Sequence, residues 1–398
     1  MKNYLIIGNG VAGTTAAEQI RILDSEGEIT IVTDEFLPFY SRIRLPEFIA
    51  KEINEDRLII KKDDWYKKLN IKLKLNSKII KADAEKKFLE TEGGKKFFYD
   101  VLLIATGSRS FVPPIRGSEK NGVFTLRNVE DAQNISAYAQ NTENVVLIGG
   151  GLLGLECGNA LRKMGKKVSV VEFFPRLLPR QLDDEGAKRL KELMEDMGFS
   201  FRLGAKTKEI IGEKTAKSVL LESDEELLSK MVIISAGVRP NLEMAWHLNL
   251  RTDKGILVDD YLKTSCPDIF AAGDVAEHKG MLYGIWPASK DQGLVAGINM
   301  AGGSILYKGT EISNKLKVAG IDLASAGNID SENHMESLVL KKDDIYKKMV
   351  FNNDKIAGCI MLGNTKGFDQ IVKAMSLGKD VSKIKNDILG DDFDFKKL

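Results

Sequence analysis

Two glycine clusters are the residues whose type and spacing first suggest chemistry: Gly8-Asn9-Gly10-Val11-Ala12-Gly13 and Gly149-Gly150-Gly151-Leu152-Leu153-Gly154. Each reads G-x-G-x-x-G. In such a run the first glycine permits a tight turn and the second lets the backbone approach a pyrophosphate. The third allows a helix to pack closely on a strand. Phosphate oxygens then meet free N–H groups at the positive end of the helix. An acidic side chain at the end of the following strand can accept from adenosine ribose hydroxyls. Asp34 lies 21 positions beyond Gly13, with Glu35 beside it, and Glu172 lies 18 beyond Gly154. Spacing does not decide between Asp34 and Glu35; Asp34 is preferred as nearer the strand end. A single copy of this motif is a weak signal, since glycine turns kept for packing are common. Two complete copies point to two dinucleotide sites. A carboxylate at Glu172 repels the 2′-phosphate of NADPH and suits the free ribose of NADH, although Arg176 and Arg180 are near enough in sequence to rescue a phosphate.

The elements that must position these loops are legible around them. Leu5-Ile6-Ile7 is a buried strand leading into the first loop, a helix is expected from Thr14 to about Leu23, and Ile29–Val32 is the second strand. The same order recurs with Val145–Ile148, a helix to about Met164 and Val168–Val171. Two further apolar runs end in small-residue turns: Val101–Ile104 before Ala105-Thr106-Gly107, and Met231–Ile234 before Ser235-Ala236-Gly237. A third reads Asp268-Ile269-Phe270-Ala271-Ala272-Gly273-Asp274. Phe111-Val112-Pro113-Pro114 forces an extended connection and marks a domain boundary. From about Ser313 the texture changes to short strand-like runs, Tyr346–Phe351 and Ala357–Leu362, and a lysine-rich terminal helical stretch. The expected fold is α/β: two doubly wound, Rossmann-like nucleotide-binding domains and a small α+β C-terminal domain. The first domain takes 1–112 and 243–312, the second 113–242, and the third 313–398.

Composition narrows the classes. A chain of 398 residues with 43% hydrophobic and 29% charged residues has the make-up of a globular protein with buried cores. Its net charge of +1 gives no reason to expect nucleic acid or an anionic membrane as partner. Cys157, Cys266 and Cys359 are far apart, with no C-x-x-C, which argues against a disulfide framework, a metal site or an iron–sulfur site and fits a reducing cytoplasm. The apolar opening Tyr4–Ile7 is too short for a secretion signal and runs into the glycine loop, so a buried strand is expected.

Together the two loops, the Ala105-Thr106-Gly107 turn and Ala272-Gly273-Asp274 resemble the FAD- and NAD(P)-dependent pyridine nucleotide oxidoreductases, over nearly the whole chain. The resemblance implies FAD on the first loop, NADH on the second, and Asp274 near the FAD ribitol-phosphate region. A helix start just after Asp274 would also favour phosphate there. Members with thiol chemistry carry one or two cysteines shortly after the first β-α-β unit; residues 35–60 contain none. Tyr40-Ser41-Arg42-Ile43-Arg44-Leu45-Pro46-Glu47 is similar to a segment of the branch holding rubredoxin reductases, ferredoxin reductases and the flavin half of assimilatory nitrite reductases. Arg42 is then an FAD contact. Ferredoxin reductases have Ser-Lys where this chain has Pro46-Glu47, which puts in doubt a lysine–glutamate pair with Glu156. Glu156, the candidate catalytic residue, lies where the family often places a carboxylate near the nicotinamide, and reads equally as a helix-dipole partner. Trp286-Pro287-Ala288 matches the segment at the flavin ring, with an aromatic core residue as the plain alternative for Trp286.

Leu316–Asp322 and Ala357–Gly363 look like the C-terminal domain of the rubredoxin and nitrite reductase branch, without the cysteines that iron–sulfur and sirohaem centres need. The implied activity passes hydride from NADH to FAD, then electrons to rubredoxin or another iron–sulfur protein. An NADH oxidase using oxygen directly and a non-catalytic NADH-sensing flavoprotein are the alternatives. The pairs Lys341-Lys342 and Lys347-Lys348 are read as solvated surface rather than as a docking patch.

Overall fold

The computed structural model describes residues 1–390 and 392–398. The chain divides into two compact units. The first comprises Met1–Arg44, Ile53–Arg109 and Val238–Thr310; the second comprises Leu45–Glu52, Ser110–Gly237 and Glu311–Leu398. The breaks lie a few residues before positions 112, 242 and 312. Two assignments differ from the sequence reading. Leu45–Glu52 belongs to the second unit, and the C-terminal sheet domain is grouped with the second nucleotide domain in that unit.

In the first unit five parallel strands lie in the order Ile269–Ala271, Val101–Ile104, Asn3–Ile7, Glu28–Val32, Ile71–Lys74. Val101–Ile104 is buried throughout, and Asn3–Ile7 after its first residue. Such unbroken apolar runs belong in a parallel sheet covered on both faces. The second unit repeats the arrangement with Ser200–Leu203, Lys167–Glu172, Asn144–Ile148, Met231–Ile234 and Val123–Phe124. Each unit also carries a three-stranded antiparallel meander, 79–98 in the first and 207–228 in the second.

The first helix spans Val11–Leu23, beginning three residues earlier than expected, because the glycine loop itself supplies its first turn. Against it lies Trp286–Met300, and the two approach through small residues. A Cβ at Gly293 would stand 2.5 Å from the Ala12 carbonyl oxygen, and one at Gly297 would stand 2.6 Å from that of Ala16. Ala12, Ala16 and Ala17 are all buried there.

The C-terminal part is an antiparallel sheet ordered Ser313–Val318, Ile321–Gly327, Lys355–Leu362, Ile345–Asn352, Glu336–Lys342, with the helix Phe368–Ser376 packed on it. The expected lysine-rich terminal helix does not form; beyond Ser376 the described residues make turns and short 3-10 segments. Lys347 and Lys348 are not surface residues either, being 3% and 0% exposed. The strand carrying them is covered on both faces, so alternation gives no outward side. Lys348 Nζ donates to the Asp330 carbonyl at 2.7 Å and to Asn333 Oδ1 at 2.8 Å, and lies 3.4 Å from Asp183 Oδ2. Asp183 in turn accepts from Tyr346 Oη at 2.6 Å and caps the helix Asp184–Asp196 through Gly186 N–H. A buried charge is tolerated when it is paired and hydrogen-bonded in this way. The network ties the C-terminal sheet to the second parallel sheet's own helix.

Because the carbonyl of Ala16 leaves no room for a methyl group, Gly297→Ala is expected to destabilise the protein by about 1–3 kcal/mol. Thermal denaturation reads this as a lowered midpoint; an unchanged midpoint would mean that the two helices separate without strain.

Candidate cofactor-binding sites

The three glycines of each loop face three different surroundings, and the two copies agree at every position. Gly8 has φ +108°, its N–H donates to the Val32 carbonyl at 2.8 Å, and a Cβ there would lie 2.1 Å from the Ala105 oxygen. Gly149 has φ +109°, donates to the Val171 carbonyl at 2.8 Å, and would place a Cβ 2.2 Å from the Ser235 oxygen. A Cβ at Gly13 or Gly154 would fall 2.1 or 2.8 Å from the carbonyl of Gly8 or Gly149. Gly10 and Gly151 differ: both have negative φ, and no protein atom lies within 4 Å of a Cβ built on either. Nothing in the fold demands glycine at either position. These two residues also precede helices that have no side-chain cap, leaving the first-turn N–H groups at Val11, Ala12 and Leu152 for an anion.

Both loops sit at the carboxyl ends of parallel strands, where chain order reverses between Asn3–Ile7 and Val101–Ile104, and between Asn144–Ile148 and Met231–Ile234. That is the position at which open α/β sheets bind ligands. Thr106, Gly107, Gly273 and Asp274 follow the strands Val101–Ile104 and Ile269–Ala271 at the same edge of the first sheet, and Gly237 follows Met231–Ile234 in the second. Thr106 is stitched to Asn241, donating from Oγ1 to its carbonyl at 3.1 Å and accepting from Nδ2 at 2.9 Å. Gly107, Gly237 and Gly273 all have positive φ, at +66°, +102° and +85°. Gly273 N–H donates to Gln292 Oε1 at 2.8 Å, and Ser108 Oγ donates to Asp274 Oδ2 at 2.7 Å. Asp274 is followed by a turn and the strand Ala276–His278, not by a helix, so no helix N-terminus supports it. Trp286 opens the helix Trp286–Met300, half-buried and tilted against Phe39 with ring centroids 5.8 Å apart.

The acids differ between copies. Ile7 pairs with Val32 and Ile148 with Val171, so Thr33 and Glu172 hold equivalent positions. Glu172 is buried, accepting from Gly150 N–H at 2.5 Å through Oε2 and from Phe174 N–H at 2.8 Å through Oε1. Each oxygen keeps a further lone pair. In the first copy Asp34 is exposed, while Glu35 lines a cleft with Asn9, Gly10, Thr33, Phe39 and Arg42. Glu35 Oε1 pairs with the Arg42 guanidinium, and this neighbouring charge helps hold Arg42 protonated against the cost of burial. Glu35 rather than Asp34 is thus the acid that lines the cleft. Glu35 Oε2 and Asn9 Nδ2 are buried without a protein partner. An acceptor and a donor beside an open glycine fit the polar, phosphate-bearing adenosine end of a dinucleotide.

Glu156 has an engagement that sequence did not reveal. Its Oε1 accepts from Ala319 N–H at 2.7 Å. Ala319 and Gly320, with φ +53° and +89°, form the tip of the hairpin that joins Ser313–Val318 to Ile321–Gly327. Burial raises the Glu156 carboxyl above its ordinary range, opposed by the Ala319 N–H and Lys163, while Glu47 and Glu52 add to it. Its neighbour Cys157 is fully buried, which pushes the thiol up to about 12 and keeps it from acting as a thiolate. Asn9 and Tyr66, whose hydroxyl donates to Asn9 Oδ1 at 2.9 Å, were missed: Asn9 lies within a motif, at a position where any residue is allowed, and Tyr66 lies in none.

Gly10→Ala and Gly151→Ala meet no protein atom and keep an allowed φ, so both are expected to fold with a thermal midpoint close to that of the unaltered chain. Each is expected to weaken binding of the nucleotide at its own loop at least tenfold in equilibrium titration, about 1.4 kcal/mol. Unimpaired binding would show that the open side of these glycines is not where phosphate approaches.

Residues 2–293 match the family described as pyridine nucleotide-disulphide oxidoreductase, and residues 313–379 match the rubredoxin NAD+ reductase C-terminal domain. The chain is 33% identical over 392 residues to the assimilatory nitrate reductase electron transfer subunit of Bacillus subtilis, covering 98% of this chain and 51% of that protein. It is 32% identical over 383 residues to NADH-rubredoxin oxidoreductase of Clostridium acetobutylicum, covering 96% of each. The solved ferredoxin reductase of Rhodopseudomonas palustris superposes with a TM-score of 0.90 at 25% identity, covering 100% of this chain and 99% of that one. The chain spans about half the length of the curated nitrite and nitrate reductase relatives it matches. By the match over most of its length, and by the two loops that carry it, the chain belongs to the pyridine nucleotide-disulphide oxidoreductase family.

Proposed function

We propose that the chain is an NADH-dependent flavoprotein reductase that passes electrons to a separate small redox protein, a rubredoxin or another iron–sulfur protein. The observation that carries this reading is the combination of two open-faced glycine loops with no reactive thiol beside either. Residues 35–60 contain no cysteine, and Cys157 and Cys359 are buried. Without a thiol relay, electrons have to leave for an acceptor outside the chain. The likeness to the Clostridium oxidoreductase over nearly the full length of both chains, and the C-terminal domain match, support rubredoxin as that acceptor.

FAD, when bound, supplies the step between two-electron and one-electron chemistry. The chain's residues do the holding. The loop Gly8–Gly13 offers the amides of Val11 and Ala12 to the pyrophosphate. Glu35 rather than Asp34 takes the adenosine ribose, with Arg42 fixing its carboxylate. Asp274, held by Ser108, together with Gly273, the Ala105-Thr106-Gly107 turn and Trp286, borders the remainder of FAD. On the second loop Gly151 and Leu152 face the NADH pyrophosphate, Gly237 leaves room at the adjoining strand end, and Glu172 reads the ribose. Arg176 is engaged with Asp184 at 2.8 Å, which supports NADH over NADPH. Orientation and exclusion of water are the protein's share, and no proton donor is required. Glu156 acts by anchoring the hairpin at Ala319, not as an acid or base. No described helix is long and apolar enough to cross a membrane, and a cytoplasmic setting forms part of this proposal.

An NADH oxidase and an NADH sensor are the competing readings, and one experiment separates all three. The yellow protein is mixed with NADH without oxygen, its absorbance is followed, and oxidised rubredoxin or oxygen is then added. Rapid bleaching with recovery much faster on rubredoxin than on oxygen is expected. Fast recovery on oxygen alone would establish the oxidase, and slow recovery on every acceptor would favour the sensor.

A further inference from the structure

The second nucleotide loop and the C-terminal sheet are joined by one segment, residues 173–182, which is flanked on both sides by a buried carboxylate. Before it, Glu172 accepts from Gly150 N–H inside the loop at 2.5 Å. After it, Asp183 accepts from Tyr346 Oη at 2.6 Å and stands 3.4 Å from Lys348 Nζ. Between them Leu177, Leu178 and Leu182 are buried, and Leu177 packs on the loop: a Cβ at Gly150 would lie 2.8 Å from its Cδ2. Leu178 has φ +47°, a left-handed conformation that a leucine holds only when its surroundings impose it. The shape of this segment is therefore set from its ends.

The C-terminal sheet grips the far end closely. Gly186, in the first turn of the helix Asp184–Asp196, lets the Tyr346 ring approach, since a Cβ there would stand 3.1 Å from Tyr346 Cδ1. On the same helix Arg189 donates to the Asp343 carbonyl at 2.8 Å, and Glu185 accepts from Lys341 at 2.7 Å. A buried ion pair adds little net stability over apolar groups of the same shape, so Lys348 is read as fixing one arrangement of Asp183. A second contact, from Ala319 N–H to Glu156, falls on the helix that the glycine loop opens. Both contacts of the C-terminal sheet thus end on segments that shape Gly149–Gly154. We propose that Lys348 and Tyr346 are positioning residues for NADH: through Asp183 they hold residues 173–182 against the second loop, so that the C-terminal sheet governs the affinity of that loop. This rests on the reading of the second loop as the NADH site.

The test is anaerobic flavin bleaching by the holoprotein at increasing NADH, for the unaltered chain, Lys348→Met and Tyr346→Phe. Lys348→Met is expected to raise the half-saturating NADH concentration about tenfold, and Tyr346→Phe about threefold, with the limiting rate and FAD content unchanged. Phenylalanine keeps the ring against Gly186 and removes only the bond to Asp183. Half-saturation unmoved in both variants overturns the proposal, because a support of the fold alone would lower the thermal midpoint and leave NADH affinity as it was. Loss of FAD from both variants also overturns it, since the effect would not be confined to the second loop. A further measurement needs no variant and decides the matter if Lys348→Met fails to fold. Coupling is reciprocal, so saturating NAD+, which does not reduce the flavin, is expected to slow amide exchange in the strand Ile345–Asn352 about threefold. Exchange unchanged there overturns the proposal. An unaltered protein that NADH does not bleach, or a half-saturation that Gly151→Ala leaves unmoved, would instead defeat the reading on which the proposal rests.

Discussion

Each nucleotide unit is organised around one steric constraint, the approach of a loop glycine to the carbonyl at the end of the neighbouring strand. Gly8 lies against Ala105, and Gly149 against Ser235, so closely that no side chain fits between them. This approach lets the first strand turn directly into a helix while the adjacent strand ends in its own small-residue turn. The turn sets the helix N-terminus at the sheet edge, and the third glycine keeps the helix down on the strand. The second glycine is the only one of the three that the protein leaves uncovered. Local backbone sterics thus produce a surface of free amides, and the binding chemistry follows from it.

The two copies share this frame and depart from each other at the acid. With Glu172 directly after the second strand, the carboxylate closes back on its own loop through Gly150. With Thr33 at that position, the acid is moved to Glu35, where Arg42 takes one oxygen and a cleft opens beside Asn9. One topology therefore yields two sites with different polar walls.

The parts of this structure that were legible in sequence are those whose causes are local. Unbroken apolar runs such as Val101–Ile104 reveal buried parallel strands, and the glycine spacing reveals the turns. The direction of a side chain is not local, so nearness to the strand end favoured Asp34 although Glu35 lines the cleft. The step after Asp274 was read as a helix start, whereas pairing of Ala276–His278 with the distant Ile256–Val258 makes it a strand. Lys348 read as surface because its partners, Asp183 and Asp330, are supplied by other parts of the chain. Glu156 and Ala319 stand 163 positions apart, and nothing near either residue announces the bond between them.

An experimental structure of the protein crystallised with FAD and NADH would test the assignment of the two loops most directly. The account predicts the FAD adenosine ribose within hydrogen-bond distance of Glu35, and the NADH adenosine ribose within the same distance of Glu172. Both nucleotides on one loop, or FAD on the loop Gly149–Gly154, would contradict it.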